Sequence, residues 1–153
     1  MKAFIIKNGL LVSPANGYRR TKKDVLVEDG KIARVEDEID GDLPVVDASG
    51  CIVTPGLIDI HTHCYPKAFL GLEPDVLGIR RGTTTILDAG SSGADTYEDF
   101  RTNYIDRCKT KVFTLLNVSK EGLLVGHELD SMEKIDVDGL KKTLEKYPDN
   151  IVG

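Results

Sequence analysis

Pro55-Gly56-Leu57-Ile58-Asp59-Ile60-His61-Thr62-His63 is the stretch on which the reading of this chain turns. A Pro-Gly pair opens it, an apolar run follows, and two histidines one residue apart close it. Successive side chains of a strand point to opposite faces. Asp59, His61 and His63 are therefore expected on one face, and Ile58, Ile60 and Thr62 on the other. Two imidazoles side by side at a strand's C-terminal end can grip one divalent metal ion, with a carboxylate two residues behind them. A neutral imidazole binds Zn²⁺ at ~2.0–2.1 Å, and a catalytic zinc takes about three protein ligands plus water. The ion lowers the pKa of that water toward ~7 and polarises a carbonyl oxygen. His61 and His63 are thus candidate ligands for Zn²⁺ or another divalent metal in a hydrolase. Asp59 is a candidate to orient one imidazole as a hydrogen-bond acceptor, or else an interior residue. Taken alone, H-x-H is also met as a pair of surface histidines at a strand end.

The pattern on either side differs. Before Pro55 the sequence reads as short strands and tight turns. Ala3 to Lys7 is strand-like, Asn8-Gly9 is a turn, and Leu10 to Val12 resumes. Ser13 to Gly17 is a loop by composition. Asp24 to Glu28 and Lys31 to Val35 flank Asp29-Gly30, a hairpin signal because the primed turn needs positive φ. Val45 to Asp47 adds a short strand. Residues 1–55 are expected to form a small all-β unit without chemistry of its own.

From Gly56, strands alternate with helices. The first strand runs from Leu57 to His63. Pro74 to Arg81 reads as a short helix, with Pro74 in its first turn and Gly82 as its C-terminal cap. Thr83 to Asp88 is a β-branched second strand, and Gly90-Ser91-Ser92-Gly93 a tight loop. Thr96 to Cys108 is a second helix with near-capping-box spacing from Thr96 to Asp99, and Phe100, Tyr104 and Cys108 fall on one face. Lys111 to Val118 is the third strand and Lys120 to Ile135 a long connection. Val137, Leu140, Leu144 and Tyr147 mark a third helix, capped by Asp136 and stopped near Pro148. Asn150 to Gly153 reads as the start of a fourth strand. This β-α alternation is the signature of a parallel sheet with right-handed crossovers, either an open doubly wound sheet or the opening of a barrel. A (β/α)₈ barrel takes ~250 residues, and residues 56–153 supply well under half of that.

Sites in parallel α/β folds form at the carboxyl ends of strands. Asp88 ends the second strand and Asn117 the third, so both are candidates to border a pocket with His61 and His63. His127, in the long connection, reads better as a loop histidine than as a third ligand, and Glu128 as a helix start or surface residue. Gly90 to Gly93 could cradle a phosphate, but two glycines and two serines here fit a tight turn better. Cys51, Cys64 and Cys108 are odd in number and form no C-x-x-C pair, against a disulfide framework or zinc knuckle. Cys64 is expected to face away from His63 and to pack.

The chain has 153 residues and a formal net charge of -5, with 29% charged and 41% hydrophobic residues. That composition suits a globular protein, and an acidic balance without a basic run argues against nucleic acid as the main partner. Lys22-Lys23 and Arg80-Arg81 are isolated surface pairs. The N-terminal apolar stretch is too short for a signal peptide, and no run reaches the ~20 apolar residues that cross a membrane. The expectation is a cytoplasmic protein that binds neither nucleic acid nor membrane.

Residues 55–63 resemble the opening motif of the amidohydrolase superfamily. Gly82-Thr83-Thr84-Thr85-Ile86-Leu87-Asp88-Ala89-Gly90 is similar to that family's second barrel strand. The spacing from Gly90 through Asp95 to Phe100 is similar to its dihydroorotase-like, deacetylase-type branch. The resemblance implies a metal-bearing (β/α)₈ barrel, of which residues 56–153 are the first three to four β/α units. It also implies a small β-sandwich built from both chain ends, of which residues 1–55 are a part. The activity implied is hydrolysis of a small-molecule amide, cyclic amide or ester, with one or two divalent ions. His61 and His63 match the first ligand pair. The carboxylated lysine, two later histidines and general-base aspartate of the family have no match here and are expected beyond residue 153. True dihydroorotases carry an arginine two residues after the second histidine, where this chain has Tyr65, which makes a related amidohydrolase activity the better expectation.

Three readings follow: the N-terminal portion of a metal-dependent amidohydrolase; a catalytically inactive truncated or split product; or a stand-alone metal-binding module. An open half-barrel exposes strand edges and apolar helix faces, so association with a complementary fragment or a second copy is expected.

Overall fold

The computed structural model describes residues 2–124, 126–127 and 129–153. Glu128 lies outside the described residues. The chain divides into two compact units, Met1–Pro55 and Gly56–Gly153.

The first unit is all β. Its strands are β1 (Ala3–Lys7), β2 (Leu10–Ser13), β3 (Tyr18–Lys22), β4 (Asp24–Glu28), β5 (Lys31–Glu36), β6 (Val45–Asp47) and β7 (Ile52–Val53). Among the described residues they form a four-stranded sheet in the order β5-β4-β1-β6 and a three-stranded sheet in the order β3-β2-β7. The β4-β5 hairpin turns at Asp29 and Gly30 with φ of 47° and 75°, the left-handed pair that a primed turn demands. Ile5, Leu26 and Ile39 make its small core. Ile6, Val25 and Val27 of the larger sheet and Leu11 and Val53 of the smaller one line an open apolar groove of about 540 Å³. β3 and β7 were not expected. β3 is Tyr-Arg-Arg-Thr-Lys, exposed after Tyr18, so no apolar alternation marks it, and β7 has only two residues.

The second unit alternates as expected. It runs β8 (Leu57–Thr62), α1 (Pro74–Leu77), β9 (Thr83–Ala89), α2 (Tyr97–Asn103), β10 (Lys111–Leu115) and α3 (Val137–Lys146). The three strands pair in parallel in the order β10-β9-β8. The last residues continue the ladder: Thr114 N–H donates to Asn150 O (3.0 Å), Val152 N–H to Thr114 O (2.9 Å) and Leu116 N–H to Gly153 O (2.8 Å). A fourth parallel strand therefore begins beside β10, with Ile151 opposite Thr114. Tyr65, Ile86, Tyr97, Phe100, Val112 and Ile151 are buried together, which places the core between the sheet and the α2 side. The Tyr65 ring centroid lies 4.9 Å from Phe100 and 5.6 Å from Tyr104.

The helices are shorter than the sequence suggests. The first breaks at Gly78, whose φ and ψ of -88° and -109° are not helical. The Ile79 N–H leaves the helix for Thr110 Oγ1 at 3.1 Å, and a single 3₁₀ turn carries the chain to Gly82. The second helix ends at Asn103, and Ile105–Arg107 is again 3₁₀. Thr96 does not cap it. Its hydroxyl accepts from the Gly93 N–H (3.0 Å), while Asp99 turns outward to Tyr65, Lys67 and Asn103. Asp136 does cap α3, accepting from the Gly139 N–H at 2.9 Å. No described helix is long and apolar enough to cross a membrane.

Candidate metal centre

β8 carries the two histidines to the end of the sheet, but not as a regular strand. Its pairing with β9 slips between Asp59 and Thr62, so an irregularity of the β-bulge type falls across Ile60 and His61 and interrupts strict alternation. Ile58 and Ile60 are 65% and 74% exposed, whereas Thr62 is buried and donates through Oγ1 to Leu87 O at 3.0 Å. The face opposite the histidines is thus split rather than uniformly packed. His61 is exposed and His63 half-buried.

The two imidazoles nevertheless come together. Their ring centroids are 5.6 Å apart with planes at 80°. Ligand nitrogens at ~2.0–2.1 Å from one ion put the two ring centroids roughly 5–6 Å apart. The separation and crossed planes fit two ligands of one divalent ion. No group of three or more His, Cys, Asp or Glu side chains able to hold a metal occurs among the described residues, so the pair stands without a third ligand there.

The Asp59 carboxylate accepts from the backbone N–H of His61 at 3.1 Å. It thus braces the main chain at the irregularity, and none of its hydrogen bonds among the described residues reaches an imidazole. Asp88 lies one residue before the end of β9 and is fully buried. Its Oδ2 accepts from Cys64 N–H and its Oδ1 from Ser91 N–H, both at 2.7 Å. It therefore joins the segment after β8 to the loop after β9. Asn117 follows β10 and is likewise committed: its Nδ2 donates to Gly90 O (2.9 Å) and its Oδ1 accepts from Ser119 N–H (2.9 Å). This turn also explains why β10 stops at Leu115, since the Asn117 N–H has gone to Ser92 O at 2.9 Å.

The Gly90–Gly93 loop uses its amides internally, Ser91 N–H on Asp88 and Gly93 N–H on Thr96, which fits a tight turn. Gly90, at φ 84°, makes that turn. Ser91 is the residue the sequence did not single out: fully buried, its Oγ sits 3.1 Å from Nδ1 of His63. Two serines in a βα loop carry no sequence mark that separates the one touching a histidine from its neighbour. Cys64 is buried, and burial, with Asp88 beside it, pushes its thiol well above the usual range. A thiol so held is a packing group. His127 is exposed, its carbonyl accepting from Lys134 Nζ at 2.7 Å.

Tyr65, where dihydroorotases are expected to carry a cation, points into the core. It is 2% exposed and its hydroxyl donates to Asp99 Oδ2 at 2.7 Å. Burial, then the Asp99 carboxylate, raises its pKa. Lys67 and Tyr65 together hold Asp99 below the usual carboxylate range.

No family model matches the chain. It is 35% identical over 152 residues to a deacetylase of Enterococcus faecalis, a match spanning 97% of this chain and 39% of that protein. It is 32% identical over 146 residues to a dihydroorotase of Clostridium acetobutylicum, spanning 90% of this chain and 33% of that protein. Among solved structures, a dihydroorotase superposes on 100% of this chain and 42% of its own with a TM-score of 0.91 at 26% identity. An adenine deaminase covers 98% of this chain and 40% of its own, with a TM-score of 0.77 at 32% identity. The chain thus spans between a third and about two fifths of the length of these proteins. In sequence and in fold, it matches the N-terminal portion of amidohydrolase-superfamily proteins.

Proposed function

We propose that residues 56–153 are the opening β/α units of a metal-dependent hydrolase barrel, and that His61 and His63 are two ligands of its divalent ion. The substrate class is a small-molecule amide, cyclic amide or ester, in keeping with relatives named deacetylase and dihydroorotase. The observation that carries the reading is the pair of crossed imidazoles, 5.6 Å apart, at the carboxyl end of a parallel strand. A bound divalent ion supplies an activated water and polarises a carbonyl oxygen. This chain's part is to present the two imidazoles. Asp59 braces the backbone at His61, and Asp88 fixes the backbone just after His63. Asp88 is not proposed as a general base, because both of its oxygens are occupied and it has no exposure.

The exposed apolar side chains of Ile58 and Ile60, on the edge strand of the sheet, support the notion that this sheet is one part of a larger one. They also support association with a complementary segment or a second copy.

Competition for Zn²⁺ against a chromogenic chelator tests the metal reading. Binding at one ion per chain, lost in both His61→Ala and His63→Ala, is expected. Zinc uptake unchanged in both variants would refute it.

A further inference from the structure

We propose that Ser91 is a positioning residue for His63, and that Asp88 holds Ser91 in place for that task. The hydroxyl of Ser91 occupies Nδ1 of His63 and leaves Nε2 as the nitrogen free to ligate. This rests on the reading of His61 and His63 as metal ligands and adds to it which atom of His63 binds and what decides it.

The segments that carry the two side chains are both held. His63 is fixed fore and aft: its carbonyl accepts from Leu72 N–H at 3.0 Å, and the next amide, Cys64 N–H, donates to Asp88 at 2.7 Å. The same carboxylate takes Ser91 N–H at 2.7 Å, and Ser91 O accepts from Leu123 N–H at 3.0 Å. Gly90 O, on the preceding residue, is held by Asn117 Nδ2 at 2.9 Å. One buried carboxylate thus spans the segment that carries His63 and the loop that carries Ser91. Between them the only freedom left to the ring is rotation about its own side-chain bonds, and the contact from Nδ1 to Ser91 Oγ at 3.1 Å removes it.

The two ring nitrogens of a histidine are distinct, and the partner of one sets the role of the other. With metal on Nε2, Nδ1 carries its proton and donates to Ser91 Oγ, a neutral hydroxyl acceptor. Outer partners of this kind fix ring orientation, and losing one typically costs 10–100-fold in metal affinity. Asp88 acts on this pair through the main-chain amides of Cys64 and Ser91. Its place at the end of β9, with no exposure, is that of a brace for the two segments.

The test uses the full chain, uniformly labelled with ¹⁵N and loaded with ¹¹³Cd²⁺, and reads which imidazole nitrogens couple to the metal. Coupling at Nε2 of His63, with a slowly exchanging Nδ1–H, is expected. In Ser91→Ala that Nδ1–H exchanges freely and Cd²⁺ affinity falls 10–100-fold. Ser91→Thr, which keeps the hydroxyl, restores both. Coupling at Nδ1 of His63 in the unmutated chain overturns the inference without need of any variant. Unchanged affinity and exchange in Ser91→Ala overturn it too, and leave the metal reading standing. Absence of coupling at both His61 and His63 refutes the metal reading itself, and this inference with it.

Discussion

Replacing Tyr65 by Phe removes one hydroxyl and nothing else, and the structure says what that hydroxyl holds. It donates to Asp99 Oδ2 at 2.7 Å from a ring that is 2% exposed, two residues after His63. A hydrogen bond to a charged group contributes about 1.5–3 kcal/mol. The low end applies here, because Asp99 keeps Lys67 Nζ at 2.8 Å and Asn103 Nδ2 at 2.9 Å, so Tyr65→Phe does not strand the carboxylate. The expected loss is about 1.5 kcal/mol at pH 7, roughly tenfold in the folding equilibrium. A second signature lies at high pH. Burial and Asp99 raise the tyrosine pKa above its unfolded value of about 10. The stability this provides is fully present below that pH and is lost as pH rises past it. Tyr65→Phe therefore also removes part of the alkaline loss of stability. Urea unfolding followed by tyrosine fluorescence suits the measurement: the chain has no Trp, and of its five tyrosines only Tyr18 lies in the first unit. Tyr104→Phe, at a ring that meets Tyr65 edge to face without sharing its bond to Asp99, is the control and should fall within about 0.5 kcal/mol of the parent. A Tyr65→Phe protein as stable as the parent at pH 7, with the same alkaline limb, would refute the reasoning.

Phe100→Ala empties a fully buried site against Tyr65 and Tyr97, and a loss of about 3–5 kcal/mol in thermal or urea unfolding is expected. Asp75 accepts from Lys109 N–H, Thr110 N–H and Thr110 Oγ1. Burial opposes its ionisation, but the Thr110 and Lys109 donors outweigh that and lower its pKa. Its contribution is present above about pH 4 and is lost as pH falls through the folded value, so Asp75→Asn should flatten the acid limb of stability measured by urea unfolding from pH 7 to 2. Ile60→Lys, at a 74% exposed position, should change unfolding stability by less than about 0.5 kcal/mol and weaken any concentration-dependent association seen by sedimentation. A loss of several kcal/mol would show Ile60 to be buried.

The element order from Leu57 onward was legible because each element carries its own periodicity and punctuation. The β-branched run 83–89, the Asp136 cap and the Leu140-Leu144-Tyr147 face are local signals, and the folded chain uses each one. The sequence is blind where tertiary partners outbid local preference. Thr96 and Asp99 have capping spacing, yet Asp99 gains more from Tyr65 and Lys67, donors 34 and 32 residues away. Gly78 falls inside the helix expected over 74–81, and Thr110 draws the next amide out of register. β3 was invisible because an edge strand of charged residues has no alternation to read.

The candidate site divides along the same line. That two histidines come close was legible from their i, i+2 spacing, although the strand that carries them is irregular there. What holds His63 does not follow from spacing, because Asp88, Ser91 and Asn117 act through bonds between segments 24 to 28 residues apart. The apolar face of β8 makes the opposite point. Ile58 and Ile60, expected on the face opposite the histidines, are exposed, although β-branched side chains on a strand beside a paired neighbour are the usual mark of burial. A sequence pattern records the environment in which a strand is stable. In β8 the two isoleucines find no such burial, while the buried carboxylate behind His63 is satisfied within the unit. The histidine pair is therefore braced from inside the unit, through Asp59 at His61 and Asp88 behind His63, while Ile58 and Ile60 of the same strand stay exposed.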